Sequence, residues 1–307
     1  MEKTRAIRNR IKSVSGTRKI TKAMEMIASS KIRNSQQRIL EARPFINKIE
    51  DLITDIACYT TVKHPLLLSR DQVKNVLVMG VTADRGLCGG YNSNIIRLIE
   101  KTLEKVKDDG REYILDILGT KGKNYFRYMG YEINRIYENL SDHPKFLDAR
   151  EIAEEIIRSY IKKEVDEVII CYTKFKNPAE QVPSSFYLLP IPMMSQLEAN
   201  QGAASQAGMA IIGDRVCRLV PEFTYDPSHV DILESLLPAY IYTIVYMALL
   251  ESTASETGAR MTAMKNASDN AEDMIKDLNR QYHRARQQQI TMEITEIVSG
   301  ADVLMGS

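Results

Sequence analysis

Only four cysteines occur in the 307 residues, Cys58, Cys88, Cys171 and Cys217, and no two form a CxxC pair. That spacing argues against a zinc site or a disulfide framework and for a reducing compartment. The four histidines, His64, His143, His229 and His283, are equally scattered. Neither GxGxxG nor a P-loop pattern occurs. Gly86, Gly89 and Gly90 share one turn at the wrong spacing for a dinucleotide, and Gly119-Thr-Lys-Gly-Lys123 reads as a lysine-rich turn. No catalytic, cofactor-binding or metal-binding residue is nominated. Apolar runs are short. The densest, Leu236 to Leu250, is broken by Pro238, Thr243 and tyrosines, and reads as buried helix rather than a membrane span. After Pro238 there is no proline at all.

What is present is helix former, apolar periodicity and an uneven charge. The apolar fraction of 44% and charged fraction of 26% are those of a chain with a substantial core. Residues 1–33 carry ten Lys or Arg against Glu2 and Glu25, whereas residues 251–307 carry six basic and nine acidic side chains. Opposite signs suit two helices lying side by side.

The N-terminal helix is written in heptads. Ile7, Ile11, Val14, Arg18, Thr21, Glu25, Ala28, Ile32, Ser35, Ile39, Ala42, Ile46, Ile49, Ile53 and Ile56 alternate steps of four and three, and eight of them are isoleucine. That is a coiled-coil seam, expected to run through Pro44 as one helix because Ala42 and Ile46 keep phase. Burying those isoleucines is an upper estimate of roughly 12–24 kcal/mol. Between Arg18 and Glu25 the seam turns polar, and a second apolar set, Ile20, Ala23, Met24 and Ile27, appears there instead. At the other end, Ala267, Ala271, Met274, Leu278, Tyr282 and Ala285 form a stripe that Ile290, Ile294, Ile297, Ala301 and Leu304 continue past one slip in phase. A helix over 227–307 would be roughly 115 Å long, too long for its own globular part to cover. The N-terminal helix is the obvious partner, with residues near 28 and 278 expected within cross-linking reach. Lys12, Lys19, Lys22, Lys31 and Arg33 are expected to point away from the seam.

From residue 75 the period changes. Asn75–Val81 reads as a buried strand, followed by the turn Thr82–Gly90 and a helix to about Lys107. Further strands are expected at Tyr113–Leu118, Glu132–Ile136, Glu167–Phe175 and, at an edge, Ser185–Ile191, with helices near Gly122–Tyr128 and Asp148–Lys162. Strands alternating with helices indicate an α/β sheet, mainly parallel. Residues 193–220 read as a low-complexity loop. The fold class is therefore α/β: a long antiparallel coiled coil of the terminal helices plus a Rossmann-like domain from the middle of the chain. The divisions are 1–58, 59–226 and 227–307.

Three stretches carry a resemblance. Lys19-Ile-Thr-Lys-Ala-Met-Glu-Met-Ile-Ala-Ser-Ser-Lys31, Asp84-Arg-Gly-Leu-Cys-Gly-Gly-Tyr-Asn-Ser-Asn94 and Arg260-Met-Thr-Ala-Met-Lys-Asn-Ala-Ser-Asp-Asn270, continuing through Arg284-Ala-Arg-Gln287 to Ile297, are similar to the signatures of the gamma subunit family of F-type ATP synthases, bacterial type. The resemblance implies a central-stalk rotor that couples ion flow to ATP synthesis or hydrolysis and is not itself an enzyme. It implies a ring of alpha and beta subunits around the shaft, with the epsilon subunit and the c-subunit ring at the foot. It also implies a peripheral place on the cytoplasmic side of the bacterial plasma membrane. By motif, Met24 and Glu25 with Arg260, Gln287, Thr291 and Glu293 would contact the alpha/beta ring, and Phe223 and Tyr225 would lie toward the c ring and epsilon. The sequence departs from the pattern at Glu256-Thr-Gly258, where the family has Glu-His-Ala, and at Met292, where it has glutamine.

A shaft must resist more than it carries. One charge crossing the membrane supplies ~2.3 kcal/mol per 100 mV, several times less than the seam estimate, so an ion step is expected to turn the helix pair rather than part it. Unevenly placed charges would offer each beta subunit a different surface, the requirement for biasing conformational populations. Two other classes compete. One is a coiled-coil scaffold holding nucleic acid through its basic first helix; the other is an α/β nucleotide-dependent enzyme.

Overall fold

The computed structural model describes residues 2–59, 64–70, 72–191, 209–212, 215–218 and 229–305. Helix α1 runs Glu2–Tyr59 as a single helix with Pro44 inside it. Pro44 stands on the exposed side, where water can satisfy the carbonyl that its missing N–H leaves free. Every position of the heptad register from Ile7 to Ile53 is buried or half-buried. The register runs straight through its polar stretch: Thr21 is buried, while Ile20 is 64% and Ile27 59% exposed. The second apolar set therefore does not replace the seam; it stands outside it.

The chain forms two compact units, Met1–Ser29 with Arg260–Ser307, and Ser30–Ala259. The first consists of the start of α1 and the far part of the C-terminal helix, which spans His229–Met305. Thr4 donates to Gln289 at 3.2 Å and Arg18 to Glu272 at 3.2 Å, so the partner index falls as the α1 index rises and the pair is antiparallel. On the C-terminal helix Met264, Ser268, Ala271, Ile275, Leu278, Tyr282, Ala285 and Gln289 are buried or half-buried in steps of four and three, with Ala263 and Ala267 half-buried beside them. Met274, expected on this stripe, is 46% exposed; Ile275 takes its place. The pairing also separates residue 28 from 278, since Arg18 already faces Glu272. Ile7, Ile11 and Val14 are only half-buried, because two helices alone leave both flanks of their seam open to water. The Arg18–Glu272 pair, with side chains 41% and 51% exposed, contributes ~0–1 kcal/mol.

The isoleucine-rich half of the seam lies in the second unit. There Ile49 and Ile53 join Leu233, Leu237, Ile241 and Val245 of the C-terminal helix in one core cluster, and Ile39 meets Leu250 and Ala254 in another. The full seam energy thus does not act between two bare helices. The C-terminal helix is long and apolar enough to cross a membrane by length and composition, but Leu233, Leu237, Ile241, Val245 and Leu249 are buried in this core.

The sheet has the order β3-β2-β1-β4-β5, with β1 Asn75–Val81, β2 Glu112–Leu118, β3 Arg135–Tyr137, β4 Glu167–Phe175 and β5 Gln181–Leu189. β1, β2, β3 and β4 pair in parallel, and β5 closes one edge antiparallel to β4. Connecting helices are α2 Tyr91–Asp108, α3 Thr120–Tyr128 and α4 Phe146–Ile161; the C-terminal helix is α5. β1 is apolar on both faces because both are covered. Val76 and Val78 pack with Ile95, Ile99 and Leu103 of α2, while Leu77, Met79 and Val81 pack with α1, α4 and α5. Within the stretch read as a loop, β6 Met209–Ile212 and β7 Arg215–Arg218 pair as an antiparallel hairpin. Its signal is the two-residue Gly213-Asp214 link between apolar runs,.

With the native cysteines replaced, cysteines at positions 18 and 272 should join through a short bis-maleimide in high yield. A pair at 28 and 278, on the order of 20 Å apart along the axis, should not; the opposite pattern on denaturing gels would refute this register.

Candidate functional site

Two surfaces follow from this architecture, one on each unit. In the helical unit, α1 turns an apolar face outward: Ile20, Ile27 and Met26 are 64%, 59% and 66% exposed, with Met24 half-buried at its margin. Glu25 sits in the seam register, and its carboxylate takes Lys22 at 2.9 Å one turn back on the same helix. On α5, Arg260 is half-buried, and Gln287, Thr291 and Glu293 are exposed. Thr291 donates to the Gln287 carbonyl at 3.0 Å, and Glu293 accepts from Gln289 at 2.8 Å. Met24 and Glu25 are thus adjacent on α1, while Gln287, Thr291 and Glu293 share one stretch of α5 beyond the pairing to Arg18. Beyond Gln289, which pairs with Thr4 near the start of α1, Ile290, Met292, Ile294, Ile297 and Val298 are 43–71% exposed. The stripe predicted there is helical but covered by nothing in this chain among the described residues. Phe223 and Tyr225 lie outside the described residues.

In the α/β unit, the turn Asp84–Gly90 is a tie point for loops at the C-terminal ends of the strands. The Asp84 carboxylate accepts from the Thr120 N–H at 3.0 Å, the Thr120 hydroxyl at 3.1 Å and the Ser141 N–H at 3.2 Å. Burial, the largest single influence, pushes its pKa up. The N–H groups of Ser141, Thr120 and Asn139 and the Ser141 hydroxyl outweigh that and hold it below the ordinary value of 3.8. The neighbouring Asp142 takes Lys31 of α1 at 3.3 Å and Arg85 at 3.2 Å, so Lys31 is not a free outward charge. Ser141 gives its carbonyl to Thr253 of α5 at 2.9 Å. One loop therefore binds the first strand's turn, α1 and α5 together. The lysine-rich turn belongs to the same knot. Gly119 has φ +98°, and a Cβ there would stand 2.3 Å from the Thr82 carbonyl oxygen. Gly122 donates its N–H to the buried Thr82 hydroxyl at 3.0 Å. Cys88 packs against Ala83 and Tyr91, a small residue in a tight turn.

The β1/β4 boundary is where the strand order reverses, the crevice in which open parallel sheets hold ligands. Here α5 fills it. Ser252 and Ser255 bond the backbone of Thr173 on β4, and on the β1–β2 side Leu249, Ser252, Thr253 and Glu256 close against Val81, Thr82, Tyr91 and Leu118 with no room for a water molecule. α5 is buried on all sides from Glu251 to Gly258, and the helix continues through the Glu256-Thr-Gly258 departure unbroken. Gly258 faces the β4–β5 hairpin: a Cβ there would lie 3.2 Å from the Gln181 side chain and 3.4 Å from the Pro178 carbonyl. Sequence reading missed Ser141, Asp142 and this run. Its available signal was a cluster of short polar residues in mid-helix, where propensity disfavours them.

The ATP synthase family model matches residues 3–304. The ATP synthase gamma chain of Halothermothrix orenii is 40% identical over 306 residues, covering 99% of this chain and 100% of that one. That of Heliobacterium modesticaldum is 40% identical over 301 residues, covering 98% of each. Among solved structures, a central stalk/c-ring chain of Tetrahymena thermophila mitochondrial ATP synthase aligns with TM-score 0.56 and 25% identity over 81% of this chain and 99% of that one. A chain of the Euglena gracilis mitochondrial ATP synthase OSCP/F1/c-ring structure aligns with TM-score 0.66 and 18% identity over 99% and 95%, a likeness of fold. The chain belongs to the ATP synthase gamma chain family. That membership sets aside the nucleic-acid scaffold.

Asp84→Ala should lower unfolding stability by about 2 kcal/mol at neutral pH, since it strands buried donors. Because the native pKa is depressed, the stabilisation from ionised Asp84 is complete above the unfolded value of 3.8 and is lost as pH falls through the native one,. Denaturant titrations should therefore show the wild-type advantage over Asp84→Asn narrowing below about pH 4; a constant difference would refute the carboxylate's role.

Proposed function

We propose that this chain is the central-stalk rotor of an F-type ATP synthase, a non-catalytic subunit that couples ion flow through the membrane sector to ATP synthesis or hydrolysis on an alpha/beta ring. The carrying observation is the single-helix end of α5. Its exposed Ile290, Ile294 and Ile297, shifted in phase from the covered register, form an apolar face on a stretch that α1 does not reach. An apolar helix face left open in water calls for a cover from another chain. The alpha and beta subunits supply it, with Gln287, Thr291 and Glu293 as polar contacts in the same stretch. Met24, Glu25 and Arg260 meet the ring lower on the shaft, Met24 beside the outward apolar face of Ile20 and Ile27. That face differs from the lysine-rich sides around it, and such asymmetry lets rotation favour different states of each beta subunit in turn.

In this reading residues 1–58 and 227–307 are the shaft and 59–226 the foot. Phe223 and Tyr225 are the foot's contacts with the c ring and the epsilon subunit. The complex sits peripherally on the cytoplasmic face of a bacterial plasma membrane. The fit with the family's function rests on the paired helices, the exposed helix end and the match along nearly the whole chain.

Reconstitution with alpha and beta subunits should give a stable complex whose ATPase depends on this chain; no complex and no effect on turnover would refute the rotor. Removing the last ten residues should slow turnover less than tenfold, under ~1.4 kcal/mol on the barrier, with assembly kept. Loss of assembly would mean the shaft is held at its tip.

A further inference from the structure

The pairing of β1 with β4 ends at Gly80–Cys171. Two residues further along β4, Thr173 still pairs with Pro183 of β5 on one side but has no strand beside it on the other. The backbone of Thr173 is satisfied by α5 instead: its N–H donates to the Ser252 hydroxyl at 3.4 Å, and its carbonyl accepts from the Ser255 hydroxyl at 3.0 Å. Two serines three residues apart thus replace a strand at the truncated end of the sheet. One residue on from Ser252, about 100° around the helix, the Thr253 hydroxyl sits between the Ser141 carbonyl at 2.9 Å and the Leu249 carbonyl of its own helix at 2.8 Å, sharing one proton between them. All three side chains are buried, with Ser252, Thr253 and Ser255 at 3%, 6% and 0% exposure.

Apolar contacts let a helix slide or turn with little change in energy; hydrogen bonds do not, because they are directional. Turning α5 by 30° about its own axis would carry these hydroxyls roughly 2 Å sideways, given Cα atoms at a radius of ~2.3 Å, and break contacts on two faces at once. We infer that Ser252, Thr253 and Ser255 are positioning residues that key α5 against rotation about its own axis in the α/β domain, so that turning of the domain is passed to the helix without slip. The inference rests on the rotor reading and names where torque enters α5.

The test uses the full chain assembled with alpha and beta subunits, the ring fixed to a surface and a bead attached through Tyr128→Cys, a site 88% exposed. Without ATP, the angular fluctuation of the bead reports torsional stiffness. Ser252→Ala/Ser255→Ala and Thr253→Val keep helix and volume while removing the bonds. The expected result is angular variance raised at least about twofold, since directional contacts are lost while packing is kept. Val78→Ala, in the core cluster on the other face of the sheet, should lower the melting temperature without widening the angle. Unchanged variance in the serine and threonine variants, or equal widening in Val78→Ala, overturns the key. If the serine pair does not assemble, the single variants Ser252→Ala and Ser255→Ala decide by the same measure. Absence of ATP-driven rotation with the wild-type chain counts against the rotor reading instead, so the two failures are separable.

Discussion

The structure depends on how a helix of 77 residues is held by a domain that can enclose only part of it. The solution lies at the C-terminal end of the sheet, where α5 passes through the crevice between β1 and β4 and is surrounded from Glu251 to Gly258. Hydrophobic burial supplies the adhesion there, through Leu249, Leu250 and Ala254 below and Leu233 to Val245 before it. The buried hydroxyls supply orientation. A purely apolar passage would be as adherent and less specific, because dispersion and desolvation carry no preferred angle.

The same division of labour appears along α1. Its isoleucines from Ile32 onward are buried with the α/β domain, whereas its first eight turns or so pair with α5 through Ile7, Ile11 and Val14, which are only half-buried, and through small or polar residues such as Thr21 and Ala28,. A seam estimate made from isoleucines alone therefore overstates what joins the two bare helices, and resistance to turning is concentrated where the domain surrounds them. The loop Asn139–Asp142 ties the Asp84 turn, α1 and α5 together, with Asp84, Lys31, Arg85 and Thr253 all bonded to Ser141 or Asp142.

Much of this was legible in the residues. The heptad register of α1 was correct at every position whose side chain is described, because steps of four and three admit only one face. The order of strands and helices in the middle followed from the change of period, and the family from three ordered motifs. Less legible was anything set by tertiary partners. Ile20 and Ile27 read as seam candidates and stand outside it, since sequence does not say which of two apolar faces finds a cover within the chain. Met274 was preferred to Ile275 because both fit a helical stripe and only the pairing decides. Asp142 and the Ser252–Ser255 run lack any motif; their meaning comes from backbone groups brought close by the fold. The β6–β7 hairpin was hidden by the polar composition before it, although the two-residue Gly-Asp link marked it.

The sheet's two outer strands are both poor templates for a further strand. β3 is three residues long, and β5 carries Pro183. A short rim offers few backbone groups to a stranger, and a proline removes one donor from the other rim. The open end of β4, which would otherwise present Thr173 as a landing place, is already taken by the serines of α5. A subunit that must exist alone before it finds its assembly is thus guarded against templating fibrous aggregates by the same contacts that fix its long helix.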